Sequence, residues 1–338
     1  MLMNPQESMP EVQSEGSLKP AMLGIDQLVL VRYDENPRAV AIAERIRKEL
    51  SADITDIAIE NSQPTSAGYK PLLEHYSLPD GKKVMYAAVG GDGVHSHFGN
   101  AAYSSRVTDP IAFLAGGYAN DGSHMLFSHR AVVDPVRAIQ TAHVAPHRLI
   151  DIVADHQPSG LDSVKRGLFY VGGRVSGVLG KVIDSHEHRL RRQGKGAIGR
   201  LLTDAAAIRE HLPHIPELTI VENGMERRRS ELLYVKGRRM AKYLRFGGQT
   251  LLDDDAARLE LRHSRYSSVA ATAIKAWAGL SMHRFGRDES HNFSIETDDG
   301  APIEFQLDGD EKTYKSGTEF WVKLSDRQIK VLTDHRAA

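Results

Sequence analysis

Two apolar runs in the first half of the chain stop on the same kind of turn. "VMYAAVGGDG" (Val84–Gly93) and "FLAGGYANDG" (Phe113–Gly122) each carry a hydrophobic stretch into paired glycines and then an acidic residue. A short apolar run without alternation reads as a strand covered on both faces, the situation of a parallel sheet between helical layers. Glycines at its carboxyl end let backbone N–H groups come close to a guest, since no Cβ stands in the way. In a doubly wound sheet ligands collect at such ends, and a following helix adds the positive end of its dipole. Phosphate fits that chemistry. An acid beside phosphate makes sense once a divalent cation is included, because Mg²⁺ is held by one or two carboxylates together with phosphate oxygens. Taken alone, Gly90, Gly91, Asp92 and Gly93 read equally well as a tight turn with a solvated aspartate. The stretch is neither a Walker loop nor the spaced-glycine dinucleotide fingerprint.

The surrounding sequence supports an α/β layer. Residues 1–22 mix Pro, Gln, Ser, Glu and Gly without periodicity and read as a disordered tail. "QLVLVRY" reads as a buried strand, followed by a helix with Asn36 as N-cap, Pro37 in its first turn and Val40, Ala43 and Ile46 on one face. Strand and helix patterns alternate up to 146, giving an α/β nucleotide-binding domain over 23–146 with a parallel sheet. Beyond it, short β-branched and aromatic runs such as "RGLFYVGG", "SELLYVKG", "TEFWVKLS" and "RQIKVLTD" predict a β-sandwich-like, mostly antiparallel domain over 147–325. The segment 326–338 is expected to return to the first domain.

Composition narrows the partners. With 43 Lys and Arg against 44 Asp and Glu, no global field draws the chain to nucleic acid, so a charged partner must meet a local patch. The absence of cysteine rules out disulfides and thiolate metal sites and fits the cytoplasm. The sequence shows neither a secretory signal pattern nor an uncharged apolar span of membrane length.

A third acidic turn comes late, in "PIEFQLDGDEKTY", where Asp308, Gly309 and Asp310 sit at a strand tip. Asp-Gly by itself is ordinary hairpin chemistry. The ordered trio "GGDG", "GYAND" and "LDGD" resembles the diacylglycerol kinase catalytic-domain family of bacterial lipid kinases, within the superfamily of NAD kinases and phosphofructokinases. The resemblance spans roughly Gln27 to Leu332. It implies ATP and Mg²⁺ bound between an α/β domain and a β-sandwich domain, and γ-phosphoryl transfer to a lipid hydroxyl. Carried over by position, it makes Gly90, Gly91, Asp92 and Gly93 the phosphate loop. Gly117, Asn120 and Asp121 become nucleotide contacts, with Asp92 and Asp121 near the metal. Asp308 takes the place of the catalytic base and Asp310 that of the glutamate in the family's "DGE". Asp255, in "LLDDDAARLEL", matches a structural Mg²⁺ site, although Ala256 replaces the family's glycine.

The departures sit in the same loops. Val94 replaces a threonine, Ser96 and His97 stand where Asn and Glu are usual, and Tyr118 replaces the threonine of "GTxND". They leave open a non-catalytic relative that binds nucleotide or lipid, with an NAD kinase fitting the "GYAND" loop less well. His95 and His97, at i and i+2 of a helix start, diverge and do not read as a metal pair. Lys181 to Arg245 holds 15 Lys or Arg against 8 Asp or Glu, which reads either as a solvated face or as a contact for anionic lipid at the inner membrane face. "SSVAATAIKAWAGL" reads as a core-packing helix, being short and without a charged face. Assembly stays open, with a homodimer among the options.

Overall fold

The structure, a computed structural model, describes residues 25–33, 36–50, 53–59, 65–76, 83–117, 120–154, 164–174, 206–215, 217–236, 239–240, 244–245, 255–263, 265–277, 283–298, 300–308 and 310–334. The expected tail, Tyr118, Gly309 and about half of the basic 181–245 stretch, including all of 181–205, lie outside them.

The first half alternates as its sequence requires. Strands β1 (Gln27–Tyr33), β2 (Asp53–Ile59), β3 (Val84–Gly90) and β4 (Pro110–Ala115) run parallel in the order β2-β1-β3-β4. Helices α1 (Pro37–Glu49), α2 (Ser66–Tyr76) and α3 (Asp92–Ser104) make the connections. Every residue of β3 is buried, which is what its unbroken apolar run demands. Asn36 caps α1, its Oδ1 accepting from Arg38 N and Ala39 N at 3.1 and 3.3 Å. The buried row of α1 is Ala39, Ala43 and Ile46, with Val40 half-exposed beside it, so the packed face is turned one residue from the one expected. Three short helices, α4 (Asp121–Leu126), α5 (His129–Val133) and α6 (Pro135–Thr141), lead to β5 (His143–Ala154), which runs straight through residue 146.

The second half adds β6 (Val164–Gly167), β7 (Tyr170–Arg174), β8 (Leu218–Glu222), β9 (Met225–Arg229) and β10 (Glu231–Val235). After the two-residue β11 (Arg239–Met240) and β12 (Leu244–Arg245) come β13 (Ala256–Leu261), helix α7 (Tyr266–Trp277), β14 (His283–Phe285) and β15 (Ser290–Thr297). The chain continues through β16 (Ile303–Leu307), β17 (Asp310–Tyr314) and β18 (Thr318–Thr333). An antiparallel six-stranded sheet, β14-β13-β10-β7-β16-β17, faces the antiparallel part of the larger sheet. Phe293, Ile295, Phe320 and Val322 from one sheet and Leu232, Tyr234, Phe285 and Phe305 from the other fill the space between them, so the sandwich expected from the sequence is present.

The two runs "TEFWVKLS" and "RQIKVLTD" form one strand, β18, with a register shift against β5 between Leu324 and Gln328. One edge of β18 pairs with β5 from Phe320 to Thr333. The other edge meets β15 antiparallel near its start and β4 parallel at Lys330 and Val331. The larger sheet is therefore continuous across both halves of the molecule.

Helix α7 packs on one side and is open on another. Val269 packs beside Leu212, Ile215 and Leu261, but Tyr266 and Ile274 are 52% and 67% exposed. Among the described residues no helix is long and apolar enough to cross a membrane.

Candidate active site

The first two acidic turns are locked to each other. Parallel pairing of β3 with β4 ends both strands side by side, and the amides of Gly116 and Gly117 both donate to Gly90 O, at 2.8 and 3.0 Å. A Cβ on Gly117 would lie 2.3 Å from Gly91 Cα, so only glycine permits this approach. Asn120 sits in the left-handed region at φ 54° and closes its own loop. Its Oδ1 accepts from Gly117 N at 2.7 Å and its Nδ2 donates to Gly117 O at 2.8 Å. Asn36, the cap of α1, donates to Gly116 O at 2.9 Å, which ties a third loop to the pair. Asp92 then bridges the two turns, one carboxylate oxygen accepting from Gly122 N at 2.8 Å.

Helix α3 starts at Asp92, inside the glycine turn, with Gly91 as an N-cap that offers no side chain to the first amides. A Cβ at Gly93 would meet nothing within 4 Å, so this helix end opens onto free space. Val94, where the family has threonine, lies close over Gly90, leaving no room there for a Cβ. His95 turns into the core, where its Nε2–H donates to Leu114 O at 3.1 Å. Burial pushes the His95 imidazole down, against the pull of Asp92.

The late turn reaches the same helix. Leu307 pairs with Asp310, and Asp308 just after the strand takes the left-handed φ of 49° that a tight hairpin turn requires. Its side chain is 0% exposed. One carboxylate oxygen accepts from the amides of Phe169 and Tyr170, both at 2.8 Å, and the other accepts from Leu168 N. The Ser96 hydroxyl of α3 donates to the same carboxylate. Burial pushes the Asp308 carboxyl up to about 6, despite the three amides and Ser96 favouring its charged form. Two residues on, Asp310 Oδ2 lies 3.3 Å from His97 Nε2, also on α3. Burial pushes the Asp310 carboxyl up, but His97, by hydrogen bond and charge, and Lys312 hold it below the usual carboxylate range.

All three turns act on one buried phenol. The Tyr170 hydroxyl is pushed well above its ordinary pKa by burial and then by Asp308, Asp92, Asp121 and Asp310. The structure thus brings the Asp92, Asp121, Asp308 and Asp310 carboxylates, from all three turns, around the Tyr170 phenol. Asp255 stands exposed at the head of β13. Among the described residues no group of three or more His, Asp or Glu is arranged to hold a metal on its own. Asp92 and Asp121 are the side chains that would hold Mg²⁺, beside the open helix end at Gly93.

The contributions of Ser96, Asn36 and the Leu168–Tyr170 turn were not legible in the sequence. The "LFY" run looks like any strand start, and its role depends on an aspartate about 140 residues later.

The fold and these turns define a class: a parallel α/β sheet with glycine-acid turns at its carboxyl edge, continuous with a β-sandwich that supplies a further acidic turn. No family model matches the chain, and no curated protein matches it. Solved structures do. A provisionally assigned diacylglycerol kinase from Bacillus anthracis str. Sterne is similar at TM-score 0.57 and 13% identity, over 90% of this chain and 96% of its own. A second structure of a protein so assigned in that strain gives 0.59 and 13%, over 92% and 98%. A third, of a diacylglycerol kinase from the same strain, gives 0.53 and 12%, over 90% and 96%. At this identity the likeness is one of fold, and the fold is that of these bacterial proteins.

Proposed function

We propose that this chain is an ATP- and Mg²⁺-dependent lipid kinase that transfers the γ-phosphoryl group to a lipid hydroxyl such as that of diacylglycerol. The observation that carries the reading is the contact of the late turn with α3: Ser96 on Asp308 and His97 on Asp310 join the third acidic turn to the helix that opens the phosphate loop. Phosphoryl transfer asks a protein chiefly to position its substrates and to neutralise charge. The first amides of α3 and the turns at Gly91 and Gly117 would cradle phosphate oxygens. Mg²⁺, when bound, would supply the countercharge between the phosphates and Asp92 and Asp121.

The substitutions at 96 and 97 support an active enzyme over a degenerate binder, since both residues engage the acids of the late turn. The test is incubation of the purified chain with labelled ATP, Mg²⁺ and mixed micelles of diacylglycerol or a sphingoid base. A labelled lipid that disappears with EDTA is expected. Labelled NAD in a parallel incubation would point instead to an NAD kinase, and nucleotide binding without any labelled product to a non-catalytic relative.

The same reading places the protein on anionic membrane surfaces, where its substrate resides. Helix α7 supports this: Tyr266 and Ile274 are exposed, and from Leu261 to Arg287 the chain carries Arg262, Arg265, Lys275, Arg284 and Arg287 with no acidic residue. An apolar stripe flanked by basic side chains suits the headgroup region.

A further inference from the structure

A hydroxyl attacking phosphorus must lose its proton, and the geometry of the late turn bears on where that proton goes. The family resemblance gives the task to Asp308. A general base needs a free lone pair within about 3 Å of the proton it takes. Asp308 is wholly buried, and its two oxygens already accept from Leu168, Phe169 and Tyr170 amides and from Ser96. That is the environment of a carboxylate that holds a turn in place.

The neighbouring pair has the opposite character. His97 and Asp310 are in contact at 3.3 Å, and their side chains are 22% and 34% exposed. Both positions depart from the resemblance, and the two departures touch each other. A neutral imidazole whose Nε2–H is held by a carboxylate presents its Nδ1 lone pair on the far side of the ring. Asp–His pairs of this kind take protons near neutral pH, the carboxylate fixing the tautomer and stabilising the imidazolium that forms.

We infer that, within the kinase reading on which this rests, His97 is the proton acceptor and Asp310 its positioning residue, while Asp308 positions the Leu168–Tyr170 turn. In the transfer step the lipid hydroxyl oxygen bonds to the γ-phosphorus as the bond from that phosphorus to the β,γ-bridging oxygen breaks. The nucleoside diphosphate leaves with that electron pair, and the hydroxyl proton passes to His97 Nδ1 and later to water. The group that faces the pair is Lys312 on β17, which acts on the Asp310 carboxylate, and Asp310 in turn acts on the Tyr170 phenol.

The experiment compares the intact wild-type chain with His97→Gln, Asp310→Asn and Asp308→Asn, using ATP, Mg²⁺ and diacylglycerol in mixed micelles. His97→Gln, folded by circular dichroism, is expected to lower kcat by about 100-fold or more, the range for loss of a general base, with the KM for ATP little changed. Asp310→Asn is expected to move the acid limb of the kcat profile to lower pH, with the KM for ATP little changed. Asp308→Asn is expected to reduce activity in step with loss of folded protein and to leave the acid limb in place. An active wild type whose His97→Gln variant keeps its kcat within about twofold overturns the dyad and leaves the kinase reading standing. An acid limb of the kcat profile unmoved by Asp310→Asn overturns it as well. A wild type that phosphorylates no lipid removes the kinase reading, and the catalytic role of the pair falls with it.

Discussion

A methyl group added at Gly93 and one added at Gly117 would meet opposite surroundings. At Gly93 it enters open space within a helix, so Gly93→Ala should raise stability by about 0.5–1 kcal/mol through helix propensity. It would also stand where phosphate oxygens are proposed to sit, so nucleotide affinity should fall at least tenfold in a calorimetric titration. Stabilisation with unchanged affinity would refute the phosphate assignment. At Gly117 the methyl strikes Gly91 backbone, and both fold and binding should suffer. Asp308 carries a pH signature. Its folded pKa of about 6 lies above the ordinary unfolded value of about 3.9, so the folded chain holds the extra proton between those values. Its contribution to stability is present below about pH 4 and lost as pH rises through about 6. Urea midpoints measured across that window should therefore decline less steeply with rising pH in Asp308→Asn than in the wild type. The glycine-acid turns were legible because each is written in contiguous residues at the end of an apolar strand. Ser96 and the amides of Leu168 to Tyr170 were not, because their meaning lies in a contact closed by Asp308.

Among the elements, α7 makes the most exposed prediction. Ile274→Glu changes a side chain that is 67% exposed, so folding should be unaffected, while sedimentation with vesicles containing phosphatidylserine should weaken severalfold. Raising the salt should weaken the wild type too, since the flanking basic residues act through a screened field. Equal binding by wild type and variant in low salt would exclude α7 as the contact. The helix was legible as an element and Val269 packs as a core-packing helix predicts, but which of its other apolar residues stay exposed was not legible, because an apolar stripe on a short helix looks the same whatever receives it. The strands of the first half were legible because burial on both faces leaves unbroken apolar runs, as in β3. The unity of β18 was not, because "DRQ" at its middle interrupts the pattern where the register with β5 shifts.

At the scale of the molecule, β18 sets how the halves depend on each other. Phe320 and Val322 belong to the sandwich core, and Ile329, Val331 and Leu332 to the α/β core. Leu332→Ala deletes fully buried volume and should cost about 2–5 kcal/mol. Scanning calorimetry should show one transition moved to lower temperature, because a continuous sheet carries the loss into both cores. Two resolved peaks, with only one displaced, would show that the halves melt apart.

β18 also follows every other described strand in the chain. On the ribosome, β4 and β15 must wait for it with open edges, and the hairpin bearing Asp308 and Asp310 emerges just ahead of it. Competence would therefore arrive late and all at once. A nascent chain halted before this strand would hold all three acidic turns but not the strand that joins the two halves, and its exposed strand edges would invite capture by chaperones.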